Sequence, residues 1–147
     1  MLSRVYKKAI TASPQKIWQV LTEKAHYQRW ASVFSPGSTL QGEWKEGAQV
    51  CFFDPELGGT IAEVDVWSPE QELVIRHIAL VDKDGQKNRS GEMADKWIGS
   101  LEKYQIHQQG LQATLVVEVT THPDFMPMFE EGWPEAMERI LFMSEEL

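Results

Sequence analysis

The chain has 147 residues, a single cysteine and a formal charge of −8 from 14 basic and 22 acidic side chains. That length suits one domain spanning 1–147, and one cysteine excludes an internal disulfide. The acidic balance repels phosphate backbones and anionic lipid, which argues against nucleic acid and membrane as partners, and no apolar run nears the ~20 residues of a membrane helix. Met1 to Ile10 carries Arg4, Lys7 and Lys8 in an alternating pattern and lacks the apolar core of a signal peptide, so the expected location is cytoplasmic.

Residues ~3–11 predict a strand, with Val5, Lys7 and Ala9 alternating against Tyr6, Lys8 and Ile10. Ser13-Pro14 then reads as a helix cap followed by a residue preset for the first helical position. Ile17, Trp18, Val20 and Leu21 form the helical stripe, and a second short helix follows around Ala25 to Trp30. A β region comes next, with strands predicted at ~39–44, ~48–54, ~59–67, ~72–81, ~97–109 and ~111–121. Gly47, Asp54-Pro55, Gly58-Gly59, Ser68-Pro69 and Gln109-Gly110 separate most of them, and such short links imply an antiparallel meander. In the last strand Leu111, Ala113, Leu115, Val117 and Val119 make a buried face. Asp82 to Asp95 is polar, contains Gly85 and Gly91, and reads as a long mobile loop.

The C-terminal stretch places Phe125, Phe129, Trp133, Met137, Ile140 and Leu141 at steps of three and four, one face of a helix. Glu130, Glu131, Glu135, Glu138 and Glu145 mark its wet face. Pro134 cannot donate to Glu130, and Gly132 weakens helix, so a kink or break is expected near Gly132-Trp133, with a long segment from about Pro134 to Glu145. The class is therefore α+β: a curved antiparallel sheet of about seven strands wrapped around a long C-terminal helix, with two short helices after the first strand. In such a closure the first strand pairs with the last.

No nucleophile elbow, phosphate-binding loop or His-Glu-x-x-His motif occurs, and no two of His26, His77, His107 and His122 are spaced as a helical metal pair. No metal and no cofactor are expected. Cys51 lies in the apolar run Val50 to Phe53, without a neighbouring base, and reads as an inert half-buried thiol. His77 shares a predicted strand face with Leu73, Ile75 and Ala79. It either meets a ligand there or is satisfied by neighbouring main chain. Glu63 and Asp65 alternate with Ala62, Val64 and Val66, which puts the acids in water, although Ile61 and Trp67 break the pattern. Glu102 and Tyr104 share one strand face, inner or outer. No two titratable groups converge on clearly inward positions, which weakens an acid–base reading.

The order of elements, with Ile10 to Trp18, Tyr27-Gln28-Arg29-Trp30, Gly42 to Gly47, Trp97 to Tyr104 and Phe129 to Pro134, resembles the START-like superfamily, also called helix-grip or SRPBCC. Within it, the chain is similar to bacterial proteins that resemble the activator of the heat-shock-protein-90 ATPase. The resemblance implies a single START-like domain in which a seven-stranded sheet grips the terminal helix over a cavity. Members bind lipids, sterols, polyketides and other apolar molecules; some are cyclases, and others regulate a chaperone. The polar segment Asp82 to Asp95 departs from an apolar cavity cover. Candidate cavity residues are Trp30, Phe34, Phe52, His77, Tyr104, Phe129, Trp133 and Met137. Three functions follow: a module binding a small apolar or aromatic molecule, a cyclase- or hydrolase-type enzyme using the same cavity, or a protein-interaction module. The partners implied are a small apolar molecule, a chaperone or other protein, or a second copy of the chain in a homodimer.

Overall fold

Strand β1 (Leu2–Ile10) opens the chain, and the computed structural model describes every residue from Met1 to Leu147. Helices α1 (Pro14–Thr22) and α2 (Lys24–Ala31) follow. As the sequence predicts, the Ser13 hydroxyl caps α1 by accepting from the Lys16 N–H at 3.2 Å, with Pro14 at the first turn. Strands β2 (Thr39–Gly42), β3 (Gln49–Asp54), β4 (Gly58–Ser68) and β5 (Glu72–Val81) come next. The two-residue β6 (Lys87–Asn88) and helix α3 (Glu92–Trp97) precede β7 (Leu101–Gln109), β8 (Gln112–Thr121) and helix α4 (Met126–Glu146).

All pairings are antiparallel, in the order β1-β8-β7-β5-β4-β3-β2, with β6 added to the end of β5. The first strand pairs with the last along its whole length, from Leu2 opposite Thr121 to Ile10 opposite Ala113. Inward residues of the sheet, including Leu73, Ile75, Leu115, Val117 and Val119, form one apolar core with Ile17, Val20, Met126, Phe129, Trp133, Met137 and Ile140 of the helices. This is the α+β helix-grip architecture.

Four local expectations need correction. Trp97 does not open a strand. It ends α3, and β7 begins only at Leu101, because Gly99 at φ 94° turns the chain between them. Asp82 to Asp95 is not all loop, since β6 pairs with Leu80 and Val81 and α3 occupies its end. Leu111 is 91% exposed at the β7–β8 turn rather than part of the buried face of β8. Finally, α4 runs unbroken through Gly132 and Pro134. Pro134 and Glu130 both lie on the exposed face, where water can stand in for the N–H that proline cannot supply to the Glu130 carbonyl.

Two register shifts between β4 and β5 explain why alternation misled around residue 65. Val64 is paired with Ile75 and Val66 with Val74, which leaves Asp65 as the extra residue of a bulge. Past it the faces exchange, and Trp67 turns inward against Trp18 and Trp44, at 5.0 and 5.4 Å between ring centroids. Glu63 and Asp65 stay outside, where both meet Arg76. The second shift leaves Ile78 unpaired between His77 and Ala79, next to the cavity described below.

Candidate functional site

Between the sheet and α4 lies a cavity of about 180 Å³, lined by 15 residues of which 11 are hydrophobic. Helix α2 and the segment after it supply Tyr27, Trp30, Ala31 and Phe34; α4 supplies Met128, Phe129 and Trp133; α3 supplies Trp97. The sheet contributes Phe52, Thr60, Ile75, His77, Glu102 and Tyr104 from β3, β4, β5 and β7. Larger hollows elsewhere are open depressions. The one of about 490 Å³ on the outer sheet face, beside Cys51, is walled mainly by polar side chains such as Gln41, Gln49, Asp82 and Lys87. Burial raises the Cys51 thiol pKa against the opposing pull of Lys87, which favours the inert thiol.

The aromatic walls are held by mutual packing. Trp133 meets Trp30, Phe34 and Tyr104 at centroid distances of 5.6, 5.5 and 5.9 Å. Trp97 stacks on Phe129 at 6.1 Å and meets the His77 ring at 4.6 Å. Gly132 makes room for this cluster: a Cβ there would sit 2.4 Å from Phe34.

One polar cluster interrupts the apolar wall. His77, only 2% exposed, places Nε2 2.7 Å from Glu102 Oε2 and Nδ1 2.9 Å from Thr60 Oγ1. The Tyr104 hydroxyl donates to Glu102 Oε1 at 3.1 Å, and the Trp97 indole N–H donates to Thr60 Oγ1 at 2.7 Å. The Thr60 hydroxyl also lies 3.1 Å from the Ala79 carbonyl, to which it donates, so its single proton is contested between that oxygen and His77 Nδ1, and the tautomer of the ring sets which bond is made. Burial, with the Glu102 charge adding to it, pushes the Tyr104 and Tyr27 hydroxyls far above the usual phenol range. Both therefore stay protonated donors at neutral pH.

The geometry follows from strand order. β7, β5 and β4 are neighbours, and Ile75 is paired with Glu102 and Leu73 with Tyr104. His77 lies one pleat beyond Ile75, diagonal to Glu102, within reach of long side chains. Of the predicted cavity residues, Trp30, Phe34, Phe52, His77, Tyr104, Phe129 and Trp133 line this space. Met137 does not: it lies one helical turn past Trp133 and is buried in the core. Satisfaction of His77 comes from side chains rather than neighbouring main chain. Titratable groups do converge here, contrary to the expectation from sequence, because Glu102 is inward. Its signal was the shared parity of Glu102, Tyr104 and Ile106. Thr60 and Trp97 carried no such signal, since both reach the site through a bulge and a short helix.

No group of three or more potential metal ligands is gathered anywhere in the chain. No family model and no curated protein matches the sequence. Solved structures do. The Aha1 dimer from Colwellia psychrerythraea is 20% identical, with a TM-score of 0.72, over 96% of this chain and 94% of that one. Protein MLL2253 from Mesorhizobium loti is 15% identical, with a TM-score of 0.75, over 99% and 98%. CalU16 from Micromonospora echinospora is 16% identical, with a TM-score of 0.66, over 97% and 75%. Such identities establish the fold, and this chain is a helix-grip domain of the same fold as Aha1.

Proposed function

We propose that the domain binds a compact apolar or aromatic molecule between sheet and α4, with the His77–Glu102–Tyr104 cluster as its polar handle. The observation that carries this reading is a mostly apolar, partly open cavity with a single polar cluster on its wall. Burying a carboxylate and an imidazole costs stability unless the pair is well bonded, and an apolar replacement is often as stable. Placing that pair on a cavity wall is the arrangement expected of a binding site. Size limits the ligand: an apolar cavity of about 150 Å³ holds one benzene, and this one is about 180 Å³. A monocyclic molecule with small substituents fits. The test is native mass spectrometry of protein purified from its own host, joined to fluorescence titration with small aromatics. A co-purifying small molecule and saturable quenching support the reading. A bare protein mass together with no saturable response overturns it.

A second reading, a protein-interaction module, has its own support. Leu57, Met93 and Met128 are 71, 61 and 45% exposed and border a groove that shares Thr60, Trp97 and Met128 with the cavity. A protein of the same fold forms the Aha1 dimer. A dimer in size-exclusion chromatography with light scattering that dissociates in Met93→Lys would favour this reading. A monomer at all concentrations would remove its homodimeric form.

A further inference from the structure

A single side chain marks the mouth of the cavity. Of the 15 residues around it only Met128 is exposed; the others are buried or half-buried. Met128 also lines the outer groove, a hollow of about 470 Å³, and Thr60 and Trp97 line both spaces with it. Thr60 and Trp97 are tied together by the 2.7 Å bond between them. Met128 is not so held: its unbranched thioether chain has three soft torsions and changes shape at small cost. The sill between cavity and groove is thus one fixed pair and one adaptable side chain.

The two hollows differ in chemistry. The cavity carries the His77–Glu102–Tyr104 cluster, and each Glu102 oxygen takes one bond and keeps a second lone pair. The groove has no cation and only one carboxylate, Asp82, which already accepts from the Asp84 and Gln86 N–H groups of its own turn. Its walls are Leu57, Leu80, Met93 and Phe125, and Leu57 and Met93 stand exposed in it. Apolar side chains gathered along one trough at the surface mark a place that something covers. A charged group laid there would lose water and gain no partner, so the trough suits a neutral apolar chain.

We propose that cavity and groove form one continuous site for a molecule with a neutral ring and an apolar tail. The ring sits in the cavity, with a hydroxyl donating to Glu102. The tail, several carbons long, passes Met128 and lies along the groove between Leu57 and Met93. Alkylated phenols are the class this describes. The volume of the cavity then limits the ring and not the whole ligand. The proposal rests on the small-molecule reading above and adds to it a second subsite and the group that fills it.

Isothermal titration of the full chain with phenol and its para-ethyl, para-butyl and para-hexyl derivatives measures the tail against the ring. Affinity should rise at every step, by about two- to threefold per methylene, less than the roughly fourfold of complete burial. Leu57→Gln combined with Met93→Gln changes two exposed positions outside the cavity. It should lower hexylphenol affinity by about tenfold and leave phenol affinity unchanged. Methyl NMR of the parent locates the tail independently of any variant: the Met128 signal should move with phenol and with hexylphenol, the Met93 signal with hexylphenol alone. An affinity that stops rising at ethylphenol, hexylphenol binding that ignores the double variant, or an unmoved Met93 methyl overturns this inference and leaves the small-molecule reading standing. So does a dimer that binds phenol but takes up hexylphenol only after the double variant dissociates it, because the groove then belongs to a second copy of the chain. Binding of none of the four phenols overturns both.

Discussion

Thr60 shows how a single hydroxyl holds the site together. It accepts from Trp97 and bonds His77, so it joins α3, β4 and β5 at the cavity wall. Thr60→Val keeps the shape and leaves the Trp97 N–H and His77 Nδ1 without partners. The expected cost is about 1–3 kcal/mol in urea denaturation, the usual cost of an orphaned buried polar group. Thr60→Ser restores the hydroxyl and should recover most of it; an equal loss in both variants would mean that the methyl, not the bond, matters. None of this was legible in the sequence. Thr60 follows Gly58-Gly59 in a turn-like stretch, and its partners lie 17 and 37 positions away. Helical periodicity made Trp133 legible as a buried residue, but not its place beside the cavity, since the break at Gly132 expected to turn it there is absent, nor its unpaired N–H.

At the scale of elements, β8 and α4 give sharp expectations. Leu115 is fully buried, whereas Thr114 faces the opposite side of the sheet and is only half-buried. Leu115→Ala should cost about 2–5 kcal/mol and Thr114→Ala no more than about 0.5 kcal/mol in urea denaturation. Equal losses would mean that the face assignment is wrong. In α4, Pro134 lies on the exposed face within an unbroken helix. Pro134→Ala restores the N–H to the Glu130 carbonyl and should raise stability by about 1–3 kcal/mol, read as a higher urea midpoint; an unchanged midpoint would show that the helix has already adapted to the ring. The connection from α2 to β2 is pinned by Asp54, whose carboxylate accepts from the Ser35 hydroxyl and from the Gly37 and Glu56 N–H groups. The Ser35 bond, followed by the backbone bonds, holds the Asp54 pKa below its ordinary 3.8. A depressed carboxylate pKa contributes stability that is present above that ordinary value and lost as pH falls through the lower folded-state value. The stability gap between the parent and Asp54→Ala should therefore be widest near neutral pH and shrink below 3.8. A constant gap down to acid would mean that the charge plays no part.

At the scale of the molecule, the segment from Lys83 to Met93 stands apart. It is exposed throughout, is tied to the sheet only by the two residues of β6, and is anchored at its far end by Ala94 and Trp97. Its amides should exchange with solvent before those of any other internal segment; protection equal to that of β5 would overturn this. The segment borders the groove beside the cavity, so its opening would also change access to the site.

The sequence by itself determined the class of the fold, the order of its elements outside Asp82 to Trp97, the buried faces of β8 and α4 and, for a curled sheet, its closing by the first strand. Those features follow from hydrophobic period, caps and turns, which act over a few residues. Tertiary structure alone decided three others. Bulges at Asp65 and Ile78 reversed the faces of β4 and β5, since an extra residue appears only when two strands are laid side by side. The continuity of α4 through Pro134, which sits on the exposed face of the helix, also appeared only in the folded chain. The meeting of His77, Glu102, Tyr104, Thr60 and Trp97 was decided by the neighbouring of β4, β5 and β7. That neighbouring is a long-range property, and no local pattern in the chain encodes which polar side chains it will bring within a hydrogen bond of one another.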